Sequence, residues 1–279
     1  MARVMLVGDT HGNTQWAVKM VKRARNLGVK HIFVLGDFGL WDHESGGFTF
    51  LDTVNEALRK EGIKMFAVPG NHENHDRWEW YIKNNPKRSD GWTYLRSHMF
   101  IAPKVHYFTW NSVKFLVVGG AVSIDWQYRL MLESNRNGPR TLWWDNEVLS
   151  PDDMAQITDK KVDVMLTHDC SNRTPWKTRI KVDADSHDHR RLIDDALRRA
   201  RPELHFHGHM HERYEWENMT ADDHWTKTYG LERDDMWHSY GVLDLETLEF
   251  EFHPPTPDSI QEEAEEMEFL EANFGIEEE

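Results

Sequence analysis

Apolar and polar positions fall into alternating blocks along this chain. Residues 3 to 7 form a short apolar run that stops at Gly8, as a buried strand does. Helical spacing follows: Asn13 can cap the segment, Trp16, Ala17, Met20, Val21, Ala24 and Leu27 share one face, and Gly28 ends it. The same unit returns twice. His31 to Leu35 leads into Gly36, a helix is predicted across roughly 48 to 61, and Lys64 to Val68 leads into Pro69 and Gly70. Runs at 113 to 118, 162 to 166 and 204 to 206 predict further strands, and 240 to 252 predicts a terminal hairpin turning near Glu246 and Thr247. Strands alternating with helices indicate an α/β fold, in which ligands gather beyond the carboxyl ends of the strands.

Polar residues with metal-binding chemistry follow these runs. They occur as Gly-Asp-Thr-His-Gly at 8 to 12, Gly-Asp-Phe-Gly at 36 to 39, Gly-Asn-His-Glu at 70 to 73, Thr-His-Asp at 167 to 169 and Gly-His-Met-His at 208 to 211. An Asp-x-His pair in extended chain places a carboxylate and an imidazole on one side. Asp37 has two oxygens and can bridge two cations about 3.5 to 4 Å apart. Asn71 offers an amide oxygen, and His168, His209 and His211 offer neutral imidazole nitrogens. Such a mixed oxygen and nitrogen set suits manganese, iron, zinc, nickel or cobalt better than calcium. With no thiolate in it, a structural zinc finger is unsupported.

Taken together, these blocks resemble the calcineurin-like metallophosphoesterases, whose pattern is Asp-x-His, Gly-Asp, Gly-Asn-His-Asp/Glu, a lone His and Gly-His-x-His. All occur here in that order, over roughly residues 4 to 253, and small bacterial and phage-type members are the most similar. The resemblance implies a four-layer αββα sandwich, two mixed β-sheets flanked by helices, with a dinuclear metal site at the strand ends. It implies one ion on Asp9, His11 and His211, a second on Asn71, His168 and His209, and Asp37 between them. It also puts His72 beside the substrate, contacting the phosphate or protonating the leaving oxygen, while a metal-bound hydroxide attacks in line. The phosphate-gripping arginine of Ser/Thr protein phosphatases is missing, because Gly-Asp-Phe-Gly-Leu-Trp-Asp replaces Gly-Asp-x-Val-Asp-Arg-Gly. A phosphoprotein phosphatase is thereby disfavoured.

Charge narrows the substrate. The chain carries 33 Lys and Arg against 48 Asp and Glu, with ten of the acidic residues after Pro255. A mildly acidic body speaks against an extensive nucleic-acid surface. A small phosphate ester is the expected partner. Residues 1–254 are expected to form the catalytic domain and 255–279 an acidic tail or helix, with Ile260, Ala264, Met267, Leu270 and Phe274 at helical spacing. Cys170 is the only cysteine, no run of about 18 apolar residues occurs, and the first motif leaves no room for a signal peptide, so a soluble cytoplasmic protein is expected.

Other residues have structural readings alongside functional ones. His207 is expected to orient a ligand or a loop. Asp185 to Arg191 is read as a loop opening a helix at Leu192, with His189 or Arg190 as the residue that would approach a phosphate. Trp41, Trp78, Trp80, Trp126 and Trp176 are read as loop residues near the motifs, where one could stack on a base or an aryl group. Ser123, Asp125 and Arg129 could position a phosphate or cap a helix. The leading expectation is a dimetal phosphodiesterase, most simply with manganese, acting on nucleotides or cyclic nucleotides among other diesters. A metal-dependent nuclease and a non-catalytic binding scaffold of the same fold are the alternatives.

Overall fold

Three N-terminal strands, β1 (Arg3–Val7), β2 (His31–Val34) and β3 (Lys64–Ala67), pair in parallel. Helices α1 (Thr14–Asn26) and α2 (Gly47–Glu61) make the crossovers. Asn13 caps α1 as its position predicts, its side chain accepting the Trp16 amide at 3.0 Å. The computed structural model describes residues 2–41, 47–135, 142–174, 184–221, 223–236 and 238–253. The expected C-terminal helix and Trp176 lie outside these residues.

After α3 (His75–Asn84) come β4 (Thr93–Tyr94) and β5 (Met99–Ile101), then β6 (Val105–Trp110), β7 (Val113–Val118) and α4 (Trp126–Ser134). The remaining elements are α5 (Pro151–Gln156), β8 (Val164–Thr167), α6 (Ala184–Ala200), β9 (Leu204–His207), β10 (Tyr214–Ala221), β11 (His224–Gly230), β12 (Tyr240–Asp244) and β13 (Phe250–Phe252). Two mixed sheets result, ordered β13-β12-β1-β2-β3-β5-β4 and β10-β11-β9-β8-β7-β6. The predicted terminal hairpin is β12 with β13.

Period-two alternation assigns each strand face to a layer. Val4 and Leu6, Phe33 and Leu35, and Phe66 and Val68 point into the core between the sheets, where they meet Phe115, Val117, Leu166 and Phe206. Their neighbours Met5, Val7, Ile32, Val34, Met65 and Ala67 point outward beneath α1 and α2. On the far side Leu116, Val118 and Met165 pack under α6 through Ile193, Ala196 and Leu197. This is the four-layer αββα sandwich expected.

Two sequence expectations change. Residues 185–191 are no loop but lie within α6, with Ser186, His189 and Arg190 buried and their charged neighbours outside. The alternation of charge obscured a helical face. Trp78 and Trp80 also lie in a helix, α3, and Trp126 opens α4; Trp78 is buried and gives its indole N–H to the Ala102 carbonyl at 2.8 Å. Among the described residues no helix is long and apolar enough to cross a membrane.

Phe33 is central to the inter-sheet core, with ring centroids of Phe66, Trp92, Phe108, Trp110 and Phe115 at 5.6, 5.8, 5.8, 5.1 and 5.9 Å. Phe33→Ala is expected to cost about 3 to 5 kcal/mol of stability. Urea unfolding followed by tryptophan fluorescence measures this, and a loss under about 1 kcal/mol would show that the core collapses around the cavity.

Candidate metal centre

Five strands deliver the ligands predicted from sequence to one place. Asp9 and His11 follow β1, Asp37 follows β2, and Asn71 and His72 follow β3; from the other sheet His168 follows β8, and His209 and His211 follow β9. The connections are tight. The amides of Thr10 and His11 both donate to the Asp37 carbonyl, at 3.2 and 2.7 Å. His11, Asp37, His209 and His211 all have left-handed backbones, with φ of 45°, 42°, 61° and 49°. Such conformations cost about 1 to 3 kcal/mol each for non-glycine residues, so surrounding contacts must hold them. Gly208 shows the closeness of packing, since a Cβ there would lie 2.0 Å from Asp9 Oδ1.

The side chains form two adjoining groups. In the first, His211 Nε2 lies 2.9 Å from Asp9 Oδ2 and His11 Nε2 lies 4.0 Å from the same oxygen. In the second, His168 Nε2 is 2.8 Å from Asn71 Oδ1, and the His209 ring centroid is 4.9 Å from that of His168. Asp37 faces both: Oδ2 is 3.6 Å from His11 Nε2 and Oδ1 is 3.4 Å from His168 Nε2. Ligand atoms of Asp9, His11 and His211, and of Asp9, Asp37 and His168, converge within 4.8 Å of one another. Oxygen and imidazole donors at this spacing fit divalent ions of the manganese-to-zinc range.

Outer partners fit the same ions. His11 Nδ1 lies 2.8 Å from Asp234 Oδ1, and His168 Nδ1 lies 2.8 Å from the Leu35 carbonyl. Each partner accepts the Nδ1 proton, which leaves Nε2 as the coordinating lone pair. Asn71 is oriented likewise: its Nδ2 donates to Ser123 Oγ at 2.9 Å, and Ser123 donates through Oγ and its amide to the Glu147 carboxylate at 2.8 and 2.7 Å. Ser123 therefore orients the Asn71 side chain rather than capping a helix. Asp125 makes no capping bond and pairs with Arg129 at 2.8 Å.

Glu73 fastens the Asp37 loop. Its buried carboxylate accepts the amides of Phe38, Gly39 and Leu40 at 2.5, 3.2 and 2.8 Å. Burial, with the nearby Asp37 charge, pushes its pKa up to about 8. His207 is buried and structural in its contacts, with Nδ1 2.8 Å from the Gly208 carbonyl and Nε2 against the Tyr214 hydroxyl. Trp41 gives its indole N–H to the His72 carbonyl at 2.9 Å.

Electrostatics favour cations here. Burial lowers the pKa of His11, yet its bonds to Asp234 and Asp37 and the Asp9 charge outweigh this and raise it to about 10. Burial also opposes ionisation of Asp37, but His168, His72 and His11 hold its carboxyl well below the usual range. The field that keeps a proton on His11 is the field a divalent ion would meet. His209 and His72 are shifted the other way, down by burial, His209 to about 4.

Asp234, Ser123 and Glu147 carry no motif in the sequence, and they provide a test. Asp234→Asn and Ser123→Ala are each expected to weaken manganese affinity about 10- to 100-fold while the fold persists. Isothermal calorimetry measures the affinity, and circular dichroism controls for folding. Unchanged affinity in both variants would show that the inner residues suffice.

A dimetal phosphatase from Danio rerio is similar in structure, with a TM-score of 0.53 at 14% identity, covering 86% of this chain and 91% of that one. A Thermus thermophilus protein gives 0.49 at 14% identity over 91% and 98% of the two chains. An archaeal phosphodiesterase gives 0.41 at 11% identity over 90% and 99% of the two chains. Identities this low bear on the fold alone. No curated protein sequence matches significantly. The family model for calcineurin-like phosphoesterases matches residues 2–213. On this match the chain belongs to the calcineurin-like phosphoesterase family and is a hydrolase of phosphoric esters.

Proposed function

We propose that the chain hydrolyses phosphodiesters using two divalent ions, manganese foremost, with Asp9, His11 and His211 on one, Asn71, His168 and His209 on the other, and Asp37 shared. One observation supports a diester over a monoester. The cavity at the centre, of about 260 Å³, is lined by Asp37, His72, Asp125, Asp169, His209 and His211 among others, and Arg190 is its one Lys or Arg among the described lining residues. Arg190 is 1% exposed and its Nε donates to the Ser186 carbonyl at 3.3 Å, so little of its surface is open to a ligand. A diester carries one negative charge and a monoester at neutral pH nearly two. The site suits the smaller charge.

When bound, the ions supply Lewis-acid polarisation of the phosphoryl oxygens and lower the pKa of water. The chain's own residues arrange the rest. The His72 amide donates to Asp37 Oδ1 at 2.8 Å, which seats its imidazole at the cavity wall beside the ligands. Burial lowers its pKa, which makes the protonated ring the stronger acid. In this reading His72 donates its proton to the departing alkoxide oxygen, the role of a general acid. Asn71 is fixed by Ser123 and His168 by the Leu35 carbonyl, so both side chains are held rigid.

With manganese, the purified protein is expected to hydrolyse bis(p-nitrophenyl) phosphate with kcat/KM at least ~10-fold above that for p-nitrophenyl phosphate, the factor that about 1.4 kcal/mol confers. Chelation abolishes the reaction, and His72→Ala lowers kcat about 10²-fold with bound metal unchanged by elemental analysis. A monoester preference would overturn the diester reading, and full activity after metal stripping would overturn the mechanism.

A further inference from the structure

Beside the metal centre lies a second cavity of about 470 Å³. Its apolar walls include Trp126, Trp143, Leu149 and Leu192. The two indoles lie 5.6 Å apart at 31° and form one aromatic surface. Its polar residues are Asp145, Glu147, Asp185, Asp188 and His189, with no Lys or Arg among the described lining residues.

The two cavities share their partition. Where the chain enters α4, Val122 and Trp126, the first residue of the helix, line the second cavity, and Ile124 and Asp125 line the first. In α6, Asp185, Asp188 and Leu192 face the second while Ser186 and Arg190 face the first. Hydrogen bonds cross the partition. Asn71 reaches Glu147 through Ser123, and His189 Nδ1 lies 2.8 Å from Oδ2 of Asp169, which lines the first cavity.

The polar lining consists largely of acceptors. Glu147 already accepts two bonds from Ser123, and Asp188 also pairs with Arg191 at 2.5 Å on the solvent side. His189 is different. It is 3% exposed, its Nδ1–H is given to the Asp169 carboxylate, and its Nε2 has no partner. In the neutral ring Nε2 is then a buried acceptor, and leaving one unsatisfied costs about 1 to 3 kcal/mol. An anionic or purely apolar group would not supply its donor. A cation bearing N–H groups would, and its charge would also be drawn to the indole faces and the carboxylates.

We propose that this cavity is a subsite for an organic ammonium group, so that the preferred diester carries a protonated amine on one of its alcohols. The ammonium directs an N–H to His189 Nε2 and rests against Trp126 and Trp143, with Asp185 adding charge at the rim. This deepens the phosphodiesterase reading and rests on it for the identity of the substrate, but the subsite itself can be tested by binding alone.

The probe is 2-phenylethylammonium, with 2-phenylethanol as its neutral counterpart and adenosine as a base-bearing competitor. Calorimetry and tryptophan fluorescence on the full chain are expected to show saturable binding of the amine at least ~10-fold tighter than the alcohol, the scale of a desolvated cation–π contact. Asp185→Asn, an exposed isosteric change, and Trp126→Leu should each weaken it several-fold. For the reaction, KM for p-nitrophenyl 2-aminoethyl phosphate is expected to fall below that for p-nitrophenyl propyl phosphate by a similar factor. Amine binding without hydrolysis of bis(p-nitrophenyl) phosphate would retain the subsite and remove the diesterase reading. Equal binding of amine and alcohol, or tighter binding of adenosine, would overturn the subsite even if hydrolysis occurs.

Discussion

Two carboxylates, Asp9 and Asp37, are almost wholly removed from water at the ends of adjacent strands, 0% and 1% exposed. Burying charge costs several kcal/mol per ion unless hydrogen bonds and opposite charge compensate. Nearly every feature of the centre serves this need. Backbone amides of His209 and His72 donate to Asp9 and Asp37, and imidazoles from both sheets surround them. The left-handed backbones at His11, Asp37, His209 and His211 are where the chain turns sharply enough to bring those donors in. The hydrogen bonds gained in these turns offset part of both the local strain and the cost of buried charge, and divalent ions would complete the compensation.

The inter-sheet core sets how well the candidate ligands meet. One sheet supplies Asp9, His11, Asp37 and Asn71, and the other supplies His168, His209 and His211. Their spacing is thus fixed by the aromatic layer around Phe33, Phe66 and Phe115, not by any single loop. A close-packed interior transmits small changes of separation, so core packing and metal geometry are one mechanical problem.

Much of this was legible in the sequence because it is local. The strands β1, β2 and β3 announce themselves by apolar runs, α1 by its face and its Asn13 cap, and the ligands by following the runs directly. What was not legible is held by partners distant in the chain. Asp234 reaches His11 across 223 residues, and Ser123 reaches Asn71 across 52, with no motif around either. Glu73 lay within a recognised block, yet its grip on the Asp37 loop depends on the fold of residues 38 to 40. The start of α6 was misread because Asp185, His187, Asp188 and Arg191 form its solvent face, while the buried face uses Ser186, His189 and Arg190 in place of aliphatic residues.

The first two ligand loops touch through bare backbone. Gly39 has φ of 101°, and a Cβ on it would lie 2.4 Å from Gly12 Cα. Thr10 and His11 are bonded to the same stretch from the other side. Neither loop can therefore gain or lose a residue alone, because the contact that would have to yield is main chain against main chain. For lineages that diversify by changing loop length, these two turns are a single inheritance.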